Sequence, residues 1–181
     1  MNRFRVQSLA AAVLAMLFAG SAVRAQDVTS ADKKFLADSA QGNIAEINYA
    51  KLALQKSHDR HVREFATKMI KDHEKLQSEM KPLALKYGVK EPTGPTIGDH
   101  AKYMELKMKS GTDFDRAYVE AMVKDHHDDL QAFMNEENTT TNPTIKAAVR
   151  KGLSVIKEHT EMIDNIARMG GISTPPMPSG A

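Results

Sequence analysis

The sequence predicts an all-α fold, a four-helix bundle, for three reasons. Apolar residues recur with the period of an α-helix in four long stretches of the chain. No stretch alternates between apolar and polar residues for long enough to suggest a strand. The 181 residues include 11 Met but no Trp, and aromatic residues make up 6%, a composition that favours helix over sheet.

The first 25 residues are predicted to be a signal peptide. A short basic start precedes an apolar run, Leu9–Ala19, and small residues end at Ala25, so cleavage is expected before Gln26. The run has 11 residues, too few to cross about 30 Å of hydrocarbon as a helix. We therefore expect an exported protein, periplasmic or associated with the outer membrane, with no stable membrane span after cleavage.

Composition excludes several classes of function. The chain has no Cys, which rules out disulfide scaffolds, thiolate metal sites and cysteine nucleophiles. Residues 1–25 hold three Arg and no acid, so the rest of the chain has 22 basic and 23 acidic residues. This near-neutral charge is not that of a nucleic-acid binder that works through bulk positive potential. The sequence identifies no protein partner and leaves a homo-oligomer open.

The helical stretches can be placed in order along a domain of residues 26–172, before a tail at 173–181 that we expect to be disordered. Short links join the first helix to the second and the third to the fourth, which predicts two antiparallel hairpins. The connection at 88–111, with a short helical piece over 101–109, is long enough to run the length of a helix. A ferritin-like crossover and a simple up-down arrangement therefore both stay open. The four predicted helices cover residues 31–57, 59–87, 113–137 (with Thr112 as its cap) and 143–169.

A pentapeptide of two apolar residues, Lys, an acid and His occurs once on each of the last three long helices. Each His lies on the apolar stripe of its helix and near the helix midpoint, and Glu46 lies at a similar height on the first helix. We therefore expect Glu46, His73, His126 and His159 to meet in one layer halfway along the bundle. The other histidines are predicted to lie on the surface: His58, His61, His100 and His127.

Three interpretations of this layer stay open. Three neutral imidazoles and a carboxylate suit zinc, copper or iron as the ferrous ion, with Asp72, Asp125 and Glu158 available to orient histidines on neighbouring helices. Alternatively, a ligand-free network of His and carboxylates fixes the helix register in a non-enzymatic envelope or stress interaction protein. Clustered imidazoles could also make the bundle pH-responsive. No catalytic motif is found, so we expect a binding protein rather than an enzyme.

Four segments resemble the exported bacterial family DUF4142, a domain of unknown function. They are Gly42–Ile47, Phe65–His73, Asp113–Tyr118 and Val123–His126, and the similarity covers about residues 30–168. Members of that family are often labelled outer-membrane proteins and are placed in the ferritin-like superfamily. The resemblance implies a ferritin-like four-helix bundle and an exported location, and it implies no activity.

One departure from di-iron bundles bears on the chemistry. Those proteins carry Glu-x-x-His on two helices, whereas Ile70 and Ile156 stand three residues before His73 and His159 here. Both bridging acids are missing. We therefore expect a mononuclear metal site or none, and neither ferroxidase activity nor iron storage.

Overall fold

The computed structural model describes residues 27–180, so the predicted signal peptide lies outside the described part of the chain. It contains five helices and, among the described residues, no strand. The predicted all-α class is confirmed, and the short helical piece in the long connection is a helix of its own. The helices are α1 Ser30–Lys56, α2 Arg60–Lys86, α3 Ile97–Met108, α4 Gly111–Thr139 and α5 Pro143–Met169.

Local side-chain chemistry sets where these helices begin. Thr29 accepts a hydrogen bond from the backbone N–H of Asp32, whose carboxylate in turn accepts from the backbone of Thr29, a capping box that starts α1. Asn142 caps α5 through its side-chain oxygen, which accepts from the backbone N–H groups of Thr144 and Ile145. The predicted cap of α4 is wrong, because that helix already begins at Gly111, whose φ of +55° suits a residue without Cβ, and Thr112 lies inside it.

The long helices contact their neighbours in the order α1, α2, α5, α4, and α3 lies against α1 and α4. Tyr87, just after α2, donates a hydrogen bond of 3.4 Å to Asn142 at the start of α5. At the other end of the α1–α2 hairpin, Lys56 donates one of 2.9 Å to the carbonyl of Lys107 in α3. The connection between α2 and α4 therefore runs from one end of the long helices to the other.

The apolar core is divided by a polar layer. In α4 the larger apolar cluster ends at Val123 and the smaller one begins at Leu130. In α5 the smaller cluster ends at Ile156 and the larger one includes Ile163. The repeated histidines fall in these gaps, so the layer lies between two apolar cores. Among the residues the structure describes, no helix has an apolar segment long enough to cross a bilayer.

Candidate metal centre

Three histidines from three helices meet in the polar layer. His73 of α2, His126 of α4 and His159 of α5 are 3%, 1% and 0% exposed. Their ring centroids are 5.3 to 6.2 Å apart, and one nitrogen from each ring lies within 4.8 Å of the other two. The structure thus brings together the three histidines of the repeated pentapeptide. We refer to them below as the His triad.

One nitrogen of each triad ring is engaged by a hydrogen-bond acceptor. His73 Nδ1 lies 2.8 Å from Asn43 Oδ1, and His126 Nδ1 lies 2.9 Å from the main-chain carbonyl one turn earlier in α4. His159 Nε2 lies 3.0 Å from Asp72 Oδ2. Because an acceptor requires a donor opposite it, these three nitrogens carry the protons of neutral imidazoles.

The other nitrogen of each ring is left with a lone pair and no partner. His73 Nε2, His126 Nε2 and His159 Nδ1 are buried and make no hydrogen bond. Buried polar atoms in native proteins nearly always have a partner, so three such atoms in one layer call for an explanation. A cation that accepts all three lone pairs would explain why these nitrogens have no protein partner.

The surroundings keep the triad rings neutral. Burial, and then the neighbouring His159, lower the pKa of His73 to about 3. Burial, followed by the nearby His73 and His159, holds the pKa of His126 well below its ordinary value. The pKa of His159 is also lowered, again chiefly by burial. Neutral imidazole is the form that ligates a metal, so the lone pairs are available at neutral pH.

Glu46, the fourth predicted ligand, lies beside the triad. Its Oε2 is 3.3 Å from His73 Nδ1, and its Oε1 is 3.5 Å from His126 Nδ1. It therefore faces the proton-bearing edges of two rings and not their unpartnered nitrogens. The protons of both Nδ1 atoms already go to Asn43 and to the Met122 carbonyl, so Glu46 lies close to the two rings without a hydrogen bond to either.

The electrostatics of Glu46 reflect a concentration of acids on this side of the layer. Its side chain is 5% exposed, and burial raises its pKa well above the ordinary value. Nearby carboxylates raise it further, in the order Asp129, Asp125 and Asp99. Burial also raises the pKa of Asp129 to about 7.

Of the three acids predicted to support the histidines, one contacts a triad ring. Asp72 accepts from His159 and also from Lys68 Nζ at 2.8 Å. Burial on its own raises the pKa of Asp72, but these two donors hold it below its ordinary value. Glu158 is exposed and pairs with Lys68 at 3.0 Å. Asp125 is half-buried and bonds to none of the triad rings, and burial raises its pKa to about 6.

Sequence reasoning missed two residues of the site and misplaced one histidine nearby. The sequence pattern does not mark Asn43 or Lys68 as part of the site, although Asn43 lies one turn before Glu46 on α1. His127 was predicted to lie on the surface, and this is wrong. It is 8% exposed, and its Nε2 lies 3.1 Å from each carboxylate oxygen of the buried Asp164.

An aromatic ring closes the layer toward the larger apolar cluster. Phe65 is fully buried, and its ring centroid lies 5.7 Å from that of His126 and 6.1 Å from that of His159. Both contacts are edge-on. The triad is therefore shielded from water on the side of the α1–α2 turn.

The chain is similar in fold to a solved structure and in sequence to a protein family. A crystal structure of a DUF305 fragment from Deinococcus radiodurans superposes with a TM-score of 0.69 at 14% sequence identity, covering 79% of this chain and 99% of that one. At that identity the likeness concerns the fold alone. No curated protein sequence matches the chain. Residues 18–166 match the family described as Domain of unknown function (DUF4142), and the chain belongs to that family.

Proposed function

We propose that this protein binds one transition-metal ion through His73 Nε2, His126 Nε2 and His159 Nδ1. The observation that carries the proposal is the set of three buried, unpartnered lone pairs on neutral rings. Imidazole nitrogens suit zinc, copper and ferrous iron, whereas magnesium and calcium take oxygen ligands. The absence of Cys from the sequence removes thiolate competition for the softer ions.

The spacing of the rings suits a single small ion. One nitrogen of each ring already lies within 4.8 Å of the other two. Each needs to move by less than about 1 Å to reach the roughly 2.0–2.1 Å of a metal–imidazole bond. Three protein ligands leave a fourth position of a tetrahedral ion open to water or another small molecule.

The same lone pairs argue against the ligand-free network. A network kept only for helix register would pair its buried polar atoms, because each unpaired one costs about 1–3 kcal/mol. Here one nitrogen of every triad ring has no partner. The metal therefore accounts for a feature that the network leaves unexplained.

We further propose that the long helices form a ferritin-like bundle in an exported protein. The neighbour order α1, α2, α5, α4 and a connection that runs from one end of the helices to the other support a crossover topology. The basic start and short apolar run support export. Since Ile70 and Ile156 replace the bridging acids, the proposed centre holds one ion and not two.

Metal titration of the purified protein tests the proposal. After treatment with a chelator, Zn²⁺, Cu²⁺ and Co²⁺ (in place of the air-sensitive ferrous ion) are titrated calorimetrically, and bound metal is counted after gel filtration. We expect one ion per chain for at least one metal, with affinity reduced by more than about 100-fold in His159→Asn.

The matched control is the same substitution at an exposed histidine, His100→Asn, which is expected to bind like the wild type. The proposal fails if none of the three ions binds in stoichiometric amount. It also fails if His100→Asn loses the ion and His159→Asn keeps it.

A further inference from the structure

A cavity leads from the protein surface to one member of the His triad. Its volume is about 60 Å³, room for about four to six water molecules at roughly 10–15 Å³ each. At its mouth, Lys81 and Glu91 form an exposed ion pair of 2.8 Å. Its walls are mainly apolar, and its inner end is formed by Asn43, Glu46, His73 and Asp129.

Several polar groups at the inner end have no protein partner. Glu46 Oε1 and Asn43 Nδ2 are buried and make no hydrogen bond, and these residues are 4% and 9% exposed. Asp129 is half-buried and, among the described residues, forms no ion pair, and burial followed by the neighbouring Asp125 raises its pKa. One carboxyl oxygen of Glu46 and the amide nitrogen of Asn43 thus lack a partner close to a second carboxyl group, an arrangement that is unfavourable unless something occupies the cavity.

We propose that this cavity is the uptake site for the metal: Glu46 and Asp129 hold a partly hydrated divalent cation on its way to the His triad. The inference rests on the proposed function. A cation between the two carboxyls would satisfy both, and a water that accompanies the ion without coordinating it would accept from Asn43 Nδ2. Carboxylate oxygens bind hydrated ions readily without fixing them as firmly as three imidazoles do.

Because the triad is buried, an ion needs a path to it. All three residues are at most 3% exposed, and Phe65 packs against the rings of His126 and His159 on the side of the larger apolar cluster. His73 is the one triad member that lines the cavity, and Glu46 Oε2 lies 3.3 Å from its Nδ1. An ion that enters through the mouth therefore meets the carboxyl groups first and the Nδ1 edge of His73 next, and it passes this ring to reach the unpartnered nitrogens.

Blocking the cavity separates the rate of uptake from the affinity. Ala40 is half-buried and lines the cavity, so Ala40→Phe places a ring into it. Co²⁺ is the probe, because imidazole ligation changes its visible absorption, and stopped-flow mixing gives the association and dissociation rates. We expect both rates to fall by at least about tenfold while Kd stays within about threefold, since the route changes and the final ligands do not. The control is the same substitution at the exposed Ala147 of α5.

Removing one charge tests the carboxyl groups themselves. Asp129→Asn keeps the shape of the side chain, and we expect it to slow association and dissociation together by about tenfold at low ionic strength. The control is Asp128→Asn, which removes the same charge one residue away. Asp128 is exposed, pairs with Lys124 and does not line the cavity.

The outcomes distinguish this inference from the function it rests on. If the wild type takes up no Co²⁺ and no other ion, the proposed metal site is wrong. If Co²⁺ binds and both cavity variants match their controls in rate, the metal site stands and the uptake site is wrong. If Asp129→Asn weakens Kd through faster dissociation alone, the carboxyl belongs to the final site, and the uptake role is overturned. Asp129→Asn decides the matter if Ala40→Phe does not fold.

Discussion

Two neighbouring residues of α4 show how differently a buried histidine can be used. His126 and His127 are 1% and 8% exposed. His127 shares its Nε2 with both oxygens of Asp164 at 3.1 Å. His126 keeps Nε2 unpartnered, and the two other rings of the same layer each have an unpartnered nitrogen as well. Both histidines are buried, so burial alone does not distinguish them. What distinguishes a structural histidine from a candidate ligand here is whether the second ring nitrogen has a hydrogen-bond partner.

The comparison predicts that the same substitution lowers the free energy of unfolding far more at His127 than at His126. His127→Leu leaves the carboxyl of Asp164 buried, at 4% exposure, without the ring that faces it. We expect the free energy of unfolding to fall by about 3–5 kcal/mol, measured by urea denaturation of the metal-free protein. His126→Leu removes a ring with an unsatisfied nitrogen, and we expect a change of less than about 1 kcal/mol.

The double variant His127→Leu/Asp164→Leu provides the control. Replacing both members of a buried pair by apolar side chains is often neutral, so most of the lost stability should return. A His127→Leu protein as stable as the wild type would show that the two buried histidines do not differ in this way.

For metal binding we expect the opposite ranking: substitution of His126 abolishes the stabilisation by metal, and substitution of His127 leaves it intact. A metal at 100 times its Kd stabilises the folded state by about 2.7 kcal/mol, and a chain of this size then gains roughly 5–10 °C in Tm. We expect this gain in the wild type and in His127→Asn, and none in His126→Leu. Thermal unfolding with and without the metal measures it. An equal gain in His126→Leu would place the ion elsewhere.

The carboxylate behind His159 offers a finer test of the same contrast. Asp72→Asn replaces the acceptor at His159 Nε2 by a weaker, neutral one. We expect metal affinity to fall by about 10–100-fold, as for other residues that orient a metal-bound histidine. Glu158→Gln is the matched control, because Glu158 is exposed and contacts Lys68 but no triad ring. If Asp72→Asn and Glu158→Gln lower the metal affinity equally, the cause is the change in net charge and not the hydrogen bond between His159 and Asp72.

Periodicity predicted the helices and the height of the His triad, since both depend on the repeat along a single helix. It failed at His127, which lies about 100° around the helix from His126 and is buried against α5, where Asp164 faces it. It also gave no information about which edge of each ring faces inward. That depends on rotamers and on partners such as Asn43, which come from a different helix. Export stays a prediction, because residues 1–25 lie outside the described chain.

The smallest expected effect concerns pH and isolates one ring of the triad. Burial holds the pKa of His126 well below 6.5, so the folded protein keeps this ring neutral while the unfolded chain gains a proton as the pH falls below 6.5. Stability from His126 is therefore present above pH 6.5 and is lost as the pH falls. Between pH 7.5 and 5.5 the loss amounts to about 1.4 kcal/mol for one histidine.

The difference between two proteins gives a cleaner readout than the wild type alone, because four buried or half-buried acids act in the opposite direction. Burial raises the pKa of Glu136 and of Asp129 to about 7. It also raises the pKa of Asp125 to about 6 and that of Glu46 well above its ordinary value, so these four groups add stability as the pH falls. Their contribution cancels when metal-free wild type and His126→Leu are compared by urea denaturation at pH 7.5 and 5.5. On going from pH 7.5 to pH 5.5, we expect the free energy of unfolding of His126→Leu to rise by about 1.4 kcal/mol relative to that of the wild type. Met122→Leu, an apolar change on the same helix, is expected to show the same pH dependence as the wild type. Equal pH dependence in all three proteins would mean that the ring of His126 takes up its proton inside the folded core, and the contrast with His127 would then have no electrostatic basis.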